Sequence, residues 1–359
     1  MTANRTLERR LRSHRLSAPA RTVEDAARHM LAVQAQEFWG GRWALAARAS
    51  GAPSVSRVDA AFARRRLVRT WTMRGTLHVA PAEDVGWMLS VTGERQLRMA
   101  APRHRELGLD VETLARAERV VRAALTGGGR LTRKEFADVL AAGGVDPVGQ
   151  RGIHVLQSLA LRGVIVWGPV VPNPSGPTRE QYVVLTEEWI DGSAAPADPL
   201  AEFFARYIGS HGPATVRDFA WWSGLPLGVA RSAAEAAGDR LVVAADGTDP
   251  AYVLAGAGPR RSATAPEVIA LPPFEEYYLS YVDRSLPCVP EFGAIVGPAQ
   301  NGIVRPVLLA RGEIVGVWTH SRAVGRHADD PVPELFVPGA ATDAEVAAAL
   351  DRYAAFISG

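Results

Sequence analysis

Two glutamines with a single alanine between them are the residues of this chain best suited to chemistry. Gln34 and Gln36 lie in the segment LAVQAQEFWG, residues 31–40. A carboxamide does not titrate near neutral pH, so neither side chain is a strong general base. Each can accept one hydrogen bond and donate another, and two of them can therefore hold a water molecule for attack. This modest assistance suffices only where the leaving group is already good.

The backbone around the two glutamines decides whether their side chains can meet. The preceding segment TVEDAARHMLAV predicts an amphipathic helix. Side chains two residues apart on a helix point about 200° apart, so both amides reach one water only if the helix ends or is distorted near Ala35. Gly40-Gly41 just beyond favours such an ending. The alternative is a structural role, with Gln34 on the helix surface and Gln36 bonded to the backbone.

Other common arrangements for catalysis are missing from the sequence. The eight histidines are scattered, without HxH or HxxxH spacing, and Cys288 is the only cysteine, so we expect neither a metal site nor a cofactor. There is no GxxxxGK[ST] phosphate loop and no GxSxG nucleophile elbow. Among the histidines, His78 in the segment RGTLH is the one whose arginine-rich surroundings suggest a function.

Composition and charge indicate a globular protein with one basic region. For 359 residues, 47% hydrophobic and 22% charged, we expect roughly two to four units that share cores. Residues 1–105 contain 19 basic and 8 acidic residues, whereas residues 106–359 contain 21 basic and 30 acidic residues. A basic third suggests a face that meets an anion. The first residues lack the apolar core of a signal peptide, and no run approaches the roughly 18 apolar residues of a membrane span, so we expect a cytoplasmic protein without a membrane partner.

Hydrophobic periodicity and turn residues predict three sets of three helices, each followed by a β-hairpin. The sets occupy residues 111–195, 196–262 and, more loosely, 1–110. In the clearest set, Thr132 and Glu135 form a predicted capping box. Three helices with a hairpin are typical of a winged helix-turn-helix, so the sequence predicts an α+β fold with three such units in tandem. Residues 263–359 change to short strands and a closing helix, which predicts a β-rich, barrel-like domain.

Arginines around the first predicted hairpin favour DNA over the other roles of winged helices, which include protein contacts and purely structural ones. The side chains that we expect to contact DNA are Arg64, Arg66, Arg74, Thr76 and His78, with Arg305 further along the chain. The alternative for each arginine is a solvated helix face. The aromatic residues Phe38, Trp39, Trp43 and Trp71 either stack on bases or fill the core, and the core is the commoner place for such residues.

Four segments of the chain resemble, in the same order, recurring segments of one protein family. They are VQAQ, LVRTWTMRGTLHVAP, PPFEEYYLSYVDRS and NGIVRPVLLARGEIVGVW. Together they are similar to the AlkZ-like (AlkZ/YcaQ) winged-helix DNA glycosylases, whose Gln-apolar-Gln motif is catalytic. The resemblance spans nearly the whole chain and implies that Gln34 and Gln36 are catalytic. YcaQ-type members carry Asp at the second position, so Gln36 places this chain nearer the AlkZ type, with Glu37 as an unusual neighbour.

The resemblance implies both a fold and a reaction. Three tandem winged helices would curve into a channel for double-stranded DNA, followed by the C-terminal β-rich domain. The reaction would be hydrolysis of the N-glycosidic bond of alkylated purines, and in the AlkZ branch of antibiotic producers it would counter bulky adducts or interstrand crosslinks. The two amides agree with this chemistry, because a purine alkylated at N7 carries a positive charge and leaves with little acid assistance.

Two further expectations concern mechanism and assembly. Glycosylases that also cut the strand use an amine to form a Schiff base, and the only lysine, Lys134, lies in a capped helix far in sequence from QAQ. We therefore expect a monofunctional glycosylase that leaves an abasic site. Tandem winged helices in one chain remove the usual need for a dimer, so we expect a monomer. The alternative function is a non-enzymatic winged-helix DNA-binding protein, either a regulator or a factor that sequesters drug adducts.

Overall fold

The computed structural model describes residues 3–174, 176–245, 249–256, 267–299, 302–319 and 331–359. The chain forms two compact units, the first made of Met1–Val58 with Leu200–Gly359 and the second of Asp59–Pro199. The first unit is therefore assembled from two stretches of chain that are distant in sequence. Within the described residues, no helix combines the length and the apolar character that crossing a membrane requires.

The first elements of the chain flank the segment that holds the two glutamines. They are the helices α1 (Ala3–Ser13) and α2 (Val23–Met30), the strand β1 (Val33–Gln34), and the helices α3 (Phe38–Ala47) and α4 (Val55–Ala63). Thr22 caps α2, because its hydroxyl accepts a hydrogen bond of 3.0 Å from the N–H of Asp25. At the other end, Leu31 adopts a φ of 65°, and its N–H closes the last turn on the carbonyl of Ala27.

The helix before the glutamines is shorter than the sequence predicted. The amphipathic pattern predicted a helix that continues to the region of Ala35, whereas α2 ends at Met30. The positive φ of Leu31 breaks the helix, and the β-branched Val33 continues in an extended conformation that includes Gln34. The chain has therefore already left the helix when it reaches the two amides.

The second unit combines helices with antiparallel strands. In chain order its elements are β2 (Leu67–Trp71), β3 (Leu77–Pro81), α5 (Val85–Glu106), α6 (Val111–Leu125), α7 (Arg133–Ala142), α8 (Arg151–Leu161), β4 (Ile165–Val170), β5 (Gln181–Leu185) and α9 (Thr186–Trp189). The strands of this unit lie in the order β3-β2-β4-β5, and Arg69 is opposite Trp167 where the two hairpins pair. At the start of α7, Thr132 and Glu135 form the predicted capping box.

The remaining elements complete the first unit. They are α10 (Pro199–His211), α11 (Val216–Ser223), α12 (Leu227–Ala237), β6 (Leu241–Ala245), β7 (Ala251–Leu254), β8 (Val268–Leu271), α13 (Glu276–Leu279), α14 (Pro290–Val296), β9 (Val307–Ala310), β10 (Glu313–Thr319), β11 (Val332–Leu335) and α15 (Asp343–Ser358). Thr215 and Asp218 form a capping box at the start of α11, and Thr342 and Glu345 form another at the start of α15. These caps mark helix starts that depend on local sequence.

Three helices are followed by a pair of antiparallel strands at three places along the chain, as the periodicity predicted. The sets are α2–α4 with β2–β3, α6–α8 with β4–β5, and α10–α12 with β6–β7. Their identification as winged helices stays a prediction, as do the boundaries after residues 110 and 195. The boundary predicted between residues 262 and 263 lies outside the described residues.

The C-terminal strands form an open sheet, so the prediction of a barrel-like domain was wrong. The described strands lie in the antiparallel order β11-β10-β9-β8, and β11 and β8 are the edges of this sheet. Closing a barrel requires about five to eight strands, and these four are short. The helix α15 packs against β8 instead and covers the apolar side chains that a barrel would enclose.

Aromatic side chains fill the space between α3, α15 and this sheet. The ring centroids of Trp39 and Tyr353 are 5.7 Å apart, those of Trp43 and Phe356 are 5.1 Å apart, and those of Trp318 and Tyr353 are 4.7 Å apart. All five side chains are buried. Trp39 and Trp43, for which the sequence left base stacking open, therefore belong to the core.

A glycine permits close packing of two helices in the second unit. A Cβ atom on Gly93, in the middle of α5, would lie 2.6 Å from the backbone oxygen of Leu161 at the end of α8. Side chains do not approach a backbone oxygen this closely, and the backbone cannot swing aside as a flexible side chain does. The absence of a side chain at Gly93 is therefore required for the packing of α5 on α8.

We expect Gly93→Ala to destabilise the second unit by about 1–3 kcal/mol, because the added methyl group must push α8 away from α5. The measurement is the free energy of unfolding in urea. Gly86→Ala on the same helix is the matched control, because a Cβ atom there meets Ser193 at an ordinary 3.5 Å. Equal stability of the two variants would contradict a constraint at Gly93.

Candidate active site

Gln34 and Gln36 lie on a stretch of chain that is not helical. Gln34 is the last residue of β1 and is 8% exposed, whereas Gln36 follows two residues later and is exposed. The extended conformation ends at Gln34, and Gln36 lies in a bend before α3, so the 200° separation imposed by a helix does not apply here. Glu37 is also exposed and begins α3 as its N-cap residue.

A distant carboxylate fixes the backbone of Gln34. The N–H of Gln34 donates a hydrogen bond of 2.7 Å to Oε1 of Glu276, a residue 242 positions later in the chain. Glu276 is 2% exposed and lies in the first turn of the short helix α13. On the other side of the glutamines, Gly40 lies close to the same segment, because a Cβ atom there would be 3.3 Å from Pro273. Residues 272–276 therefore contact the chain both at the glutamines and just after them.

The second oxygen of Glu276 also accepts hydrogen bonds. Its Oε2 accepts one of 2.9 Å from the indole N–H of Trp222 and one of 2.6 Å from the hydroxyl of Ser280. Nε2 of His211 is 3.8 Å from the same oxygen, which is too far for a hydrogen bond. Donors on both oxygens are what a buried carboxylate requires.

The neighbouring carboxylate of Glu275 holds the other end of α3. Glu275 and Arg48, both fully buried, form an ion pair, and Nη1 of Arg48 also donates a hydrogen bond of 3.0 Å to the carbonyl of Ala44. The Glu275 side chain also accepts a hydrogen bond of 3.0 Å from the N–H of Tyr277, which caps α13. Two adjacent acids thus hold β1, which includes Gln34, and the C-terminal end of α3, the helix that follows Gln36.

Buried histidine and tyrosine side chains surround the two acids. Nε2 of His14 donates a hydrogen bond of 2.8 Å to the hydroxyl of Tyr281, which donates one of 2.6 Å to the carbonyl of His211. The guanidinium of Arg10 lies 3.6 Å from the centre of the Tyr281 ring. Burial lowers the pKa of His14 and that of His211, and it raises the pKa of Tyr281. The histidine and tyrosine rings are therefore neutral. The charges buried in this group of side chains are mainly those of the two acids and the arginines.

The residues predicted to contact DNA lie mostly in the second unit. Arg64 and Arg66 are exposed just after α4, and Arg74 and Thr76 are half-buried in the turn between β2 and β3, where Arg74 has a φ of 54°. His78 is fully buried on β3, and its Nδ1 is 3.1 Å from the carbonyl of Thr76. Contact between His78 and DNA would therefore need the ring to become exposed.

Arg305, the remaining predicted DNA contact, lies in the first unit with the two glutamines. Its guanidinium forms an ion pair of 3.0 Å with Glu334 on β11. This pair is partly exposed, so it is weak enough to exchange for a phosphate.

Within the described residues, no group of three or more His, Cys, Asp or Glu side chains is arranged to hold a metal ion.

The acids that hold the QAQ segment were missed by the sequence reasoning. Glu275 and Glu276 lie in PPFEEYYLSYVDRS, where two acids stand between a phenylalanine and two tyrosines. An acidic pair inside an otherwise aromatic and apolar stretch is a signal for buried carboxylates, since charged groups are seldom buried without partners. Their partners, Arg48 and Trp222, are too distant in sequence for the pattern to identify.

His29, on α2, contacts the end of α1 and makes the packing of these two helices sensitive to acid. Nε2 of His29 donates a hydrogen bond of 2.6 Å to the carbonyl of Ser13, and Nδ1 accepts one of 3.3 Å from Arg15. Burial, with the nearby Arg15 charge, lowers the pKa of His29 to about 4. A proton on Nδ1 would displace the Arg15 donor, so the folded protein favours the neutral ring.

We expect acid to destabilise the protein partly through His29. The unfolded chain, with a pKa of 6.5, binds more protons than the folded protein between pH 6.5 and about 4. The contribution of this residue to stability is therefore complete above pH 6.5, is lost as the pH falls towards 4, and amounts to at most about 2 kcal/mol at pH 5. Urea unfolding at pH 7.5 and pH 5 measures this loss, which should be smaller in His29→Gln. An equal loss in both proteins would contradict the assignment.

Comparison with known proteins identifies the family. Residues 27–356 match the model of the family described as DNA glycosylase AlkZ-like. The chain is 27% identical over 314 residues to the interstrand DNA cross-link repair glycosylase of Streptomyces sahachiroi. The aligned region covers 83% of this chain and 82% of the relative. The fold is similar to that of Streptomyces sahachiroi DNA glycosylase AlkZ, with a TM-score of 0.76 and 22% identity over 100% of this chain and 97% of that chain. The chain therefore belongs to the AlkZ-like DNA glycosylase family.

Proposed function

We propose that this protein is a monofunctional DNA glycosylase that hydrolyses the N-glycosidic bond of N7-alkylated purines in double-stranded DNA. The observation that carries the proposal is the non-helical, anchored backbone of the QAQ segment, with Gln34 held by Glu276 and Gln36 exposed two residues later. Membership of the AlkZ-like family supports the same reaction class. The catalytic residues in this proposal are Gln34 and Gln36.

The proposed reaction needs positioning more than acid–base catalysis. A purine alkylated at N7 is cationic, and it becomes neutral when the bond from C1′ to N9 breaks and N9 keeps the electron pair. A water molecule held by the two amides attacks C1′ and loses its proton to solvent, leaving an abasic site and the free base. Amides suit this task, because they orient a water molecule without titrating.

The substrates that we propose include bulky N7 adducts and interstrand crosslinks. The relative from Streptomyces sahachiroi is named an interstrand DNA cross-link repair glycosylase. A crosslink that joins two purines through N7 contains two cationic bases of the kind described above, so the same chemistry releases it. Within this proposal, the enzyme protects the cell against a DNA-alkylating antibiotic.

The single lysine supports hydrolysis without strand cleavage. Lys134 is exposed on α7 and forms an ion pair of 2.7 Å with Asp138, which raises the pKa of its ammonium group. A Schiff base requires the neutral amine, and a raised pKa makes that form scarcer at neutral pH. Lys134 therefore has no property of an activated nucleophile, and we propose that the abasic strand stays intact.

For DNA binding we propose the six residues that the sequence singled out, namely Arg64, Arg66, Arg74, Thr76, His78 and Arg305. The exposed Arg64 and Arg66 are supported by their position after α4, where long cationic side chains can reach phosphates. We further propose that the protein acts as a monomer, and that no metal or other cofactor takes part.

We expect Gln34→Ala combined with Gln36→Ala to reduce the release of 7-methylguanine from a methylated duplex at least about 100-fold, because the water loses its position. The measurement is a single-turnover assay with excess protein, repeated on a duplex carrying a bulky N7 adduct or a crosslink. Gln150→Ala, at an exposed glutamine of the second unit, is the matched control. Base release that survives in the double variant would contradict the catalytic role, and strand breaks without alkali or heat would contradict monofunctional hydrolysis. No release from any substrate, with duplex binding intact, would favour the binding protein.

We expect Arg64→Ala combined with Arg66→Ala to weaken duplex binding for all sequences alike. Removing an arginine that binds a phosphate should reduce the slope of log K against log salt by about 1, because fewer counterions are released. Fluorescence anisotropy at several salt concentrations measures this slope. Arg21→Ala is the control, since this exposed arginine already pairs with Asp25 of α2. An unchanged slope would remove both residues from the interface.

A further inference from the structure

We infer that Glu276 is a positioning residue of the proposed active site, because it fixes the backbone at Gln34 and hence the location of the Gln34 amide. The inference rests on the proposed function, in which that amide holds the attacking water. Glu276 acts through another residue, since its own side chain is buried at 2% exposure. What it contributes is the geometry of the strand that carries the catalytic pair.

The hydrogen bonds of Glu276 require a carboxylate at this position. The N–H of Gln34 donates a hydrogen bond to Oε1. The indole N–H of Trp222 and the hydroxyl of Ser280 both donate to Oε2. A backbone N–H and an indole N–H are donors only, whereas a serine hydroxyl can turn and accept. Because one donor-only group faces each oxygen, both oxygens must accept, and a carboxamide cannot satisfy both groups at once.

The bond to Gln34 acts where the local backbone has little support of its own. β1 consists of Val33 and Gln34 alone, and α2 has already ended at Met30. Gln34 is the residue that receives the bond, and Gln36 follows it by two positions, so a shift of this N–H moves both amides. A misplacement of about 1 Å in a catalytic group can cost about 100-fold in rate.

Glu276→Gln tests this arrangement without changing the size of the side chain. The indole N–H of Trp222 and the hydroxyl of Ser280 both lie on the Oε2 side, so we expect the amide oxygen to face them. The amide NH₂ group then meets the N–H of Gln34, and two donors repel each other. The backbone at Gln34 should move or become mobile, while the rest of the network keeps its bonds.

A second substitution should restore the hydrogen bond to Gln34. In Trp222→Phe combined with Glu276→Gln, no indole N–H remains on the Oε2 side. The amide can then turn, so that its oxygen accepts from Gln34 and its NH₂ group donates to the hydroxyl of Ser280. Rescue by removing a second side chain follows from the donor pattern and is not expected of a residue that merely fills space.

The experiment compares four full-length proteins: wild type, Glu276→Gln, the double variant and Tyr278→Phe. Tyr278 is the matched control, because its hydroxyl lies on the same short helix and donates a hydrogen bond of 2.8 Å to the carbonyl of Gly297. Single-turnover release of 7-methylguanine gives the chemical rate, anisotropy gives the affinity for the methylated duplex, and thermal unfolding gives the midpoint. Hydrogen–deuterium exchange of a peptide covering residues 31–38 reports on the Gln34 amide together with its neighbours.

The expected result is a rate reduced about 10- to 100-fold in Glu276→Gln, with duplex affinity within about twofold and faster exchange in residues 31–38. The double variant should recover at least half of the wild-type protection and most of the wild-type rate. Tyr278→Phe should lower the midpoint while leaving the rate and the exchange unchanged. This combination would separate positioning from general stability.

Two outcomes would overturn the inference. A wild-type rate with a protected amide in Glu276→Gln would show that the bond does not matter, and equal losses in Glu276→Gln and Tyr278→Phe would show a purely structural role. Wild-type protein that releases no base from the methylated duplex, from a bulky N7 adduct or from a crosslink would overturn the proposed function and with it the catalytic part of this inference. The exchange measurement would still decide whether Glu276 holds Gln34.

Discussion

The hydrogen bond from the N–H of Gln34 to the carboxylate of Glu276 is the constraint on which the candidate active site depends. Both partners lie in elements that are too short to be stable alone, since β1 has two residues and α13 has four. A four-residue helix is unstable in isolation, and two residues of strand contribute few hydrogen bonds of their own. The geometry of this region therefore comes from side chains, and Glu275 adds a second tie through its ion pair with Arg48.

Burying two adjacent acids is costly, and the surrounding residues explain how the fold tolerates it. Glu275 is compensated by a buried arginine and Glu276 by three hydrogen-bond donors, so neither carboxylate lacks partners. The rings nearby are kept neutral, because burial lowers the pKa of His14 and raises that of Tyr281. Both oxygens of each carboxylate accept hydrogen bonds, and such an arrangement is specific, since a shift would leave a buried acid without one of its donors. Rigidity at the QAQ segment follows from that specificity.

The sequence predicted those parts of the fold that depend on neighbouring residues. The capping box of Thr132 and Glu135 and the order of helices and hairpins were predicted correctly, because caps and periodicity are local signals. The end of α2 was placed too late, because Leu31 has a positive φ without being a glycine. The anchor at Glu276 could not be predicted, since it depends on contact across 242 positions. The prediction of a barrel-like domain was wrong for a similar reason. A sequence pattern that predicts short strands does not indicate whether their sheet closes into a barrel or is covered by a helix.

The division of labour between amides and acids fits the proposed reaction. A carboxylate beside the attacking water would be a stronger base, yet a cationic purine that becomes neutral on leaving needs little activation of its nucleophile. What such a reaction does need is a water molecule held at a fixed distance from C1′, and that depends on the backbone more than on basicity. In the proposed reaction, the buried carboxylate of Glu276, which accepts a hydrogen bond from the N–H of Gln34, fixes the backbone, and the neutral side chains of Gln34 and Gln36 orient the water. Selectivity for damaged bases follows, because an undamaged purine is a poor leaving group and two amides offer it too little assistance.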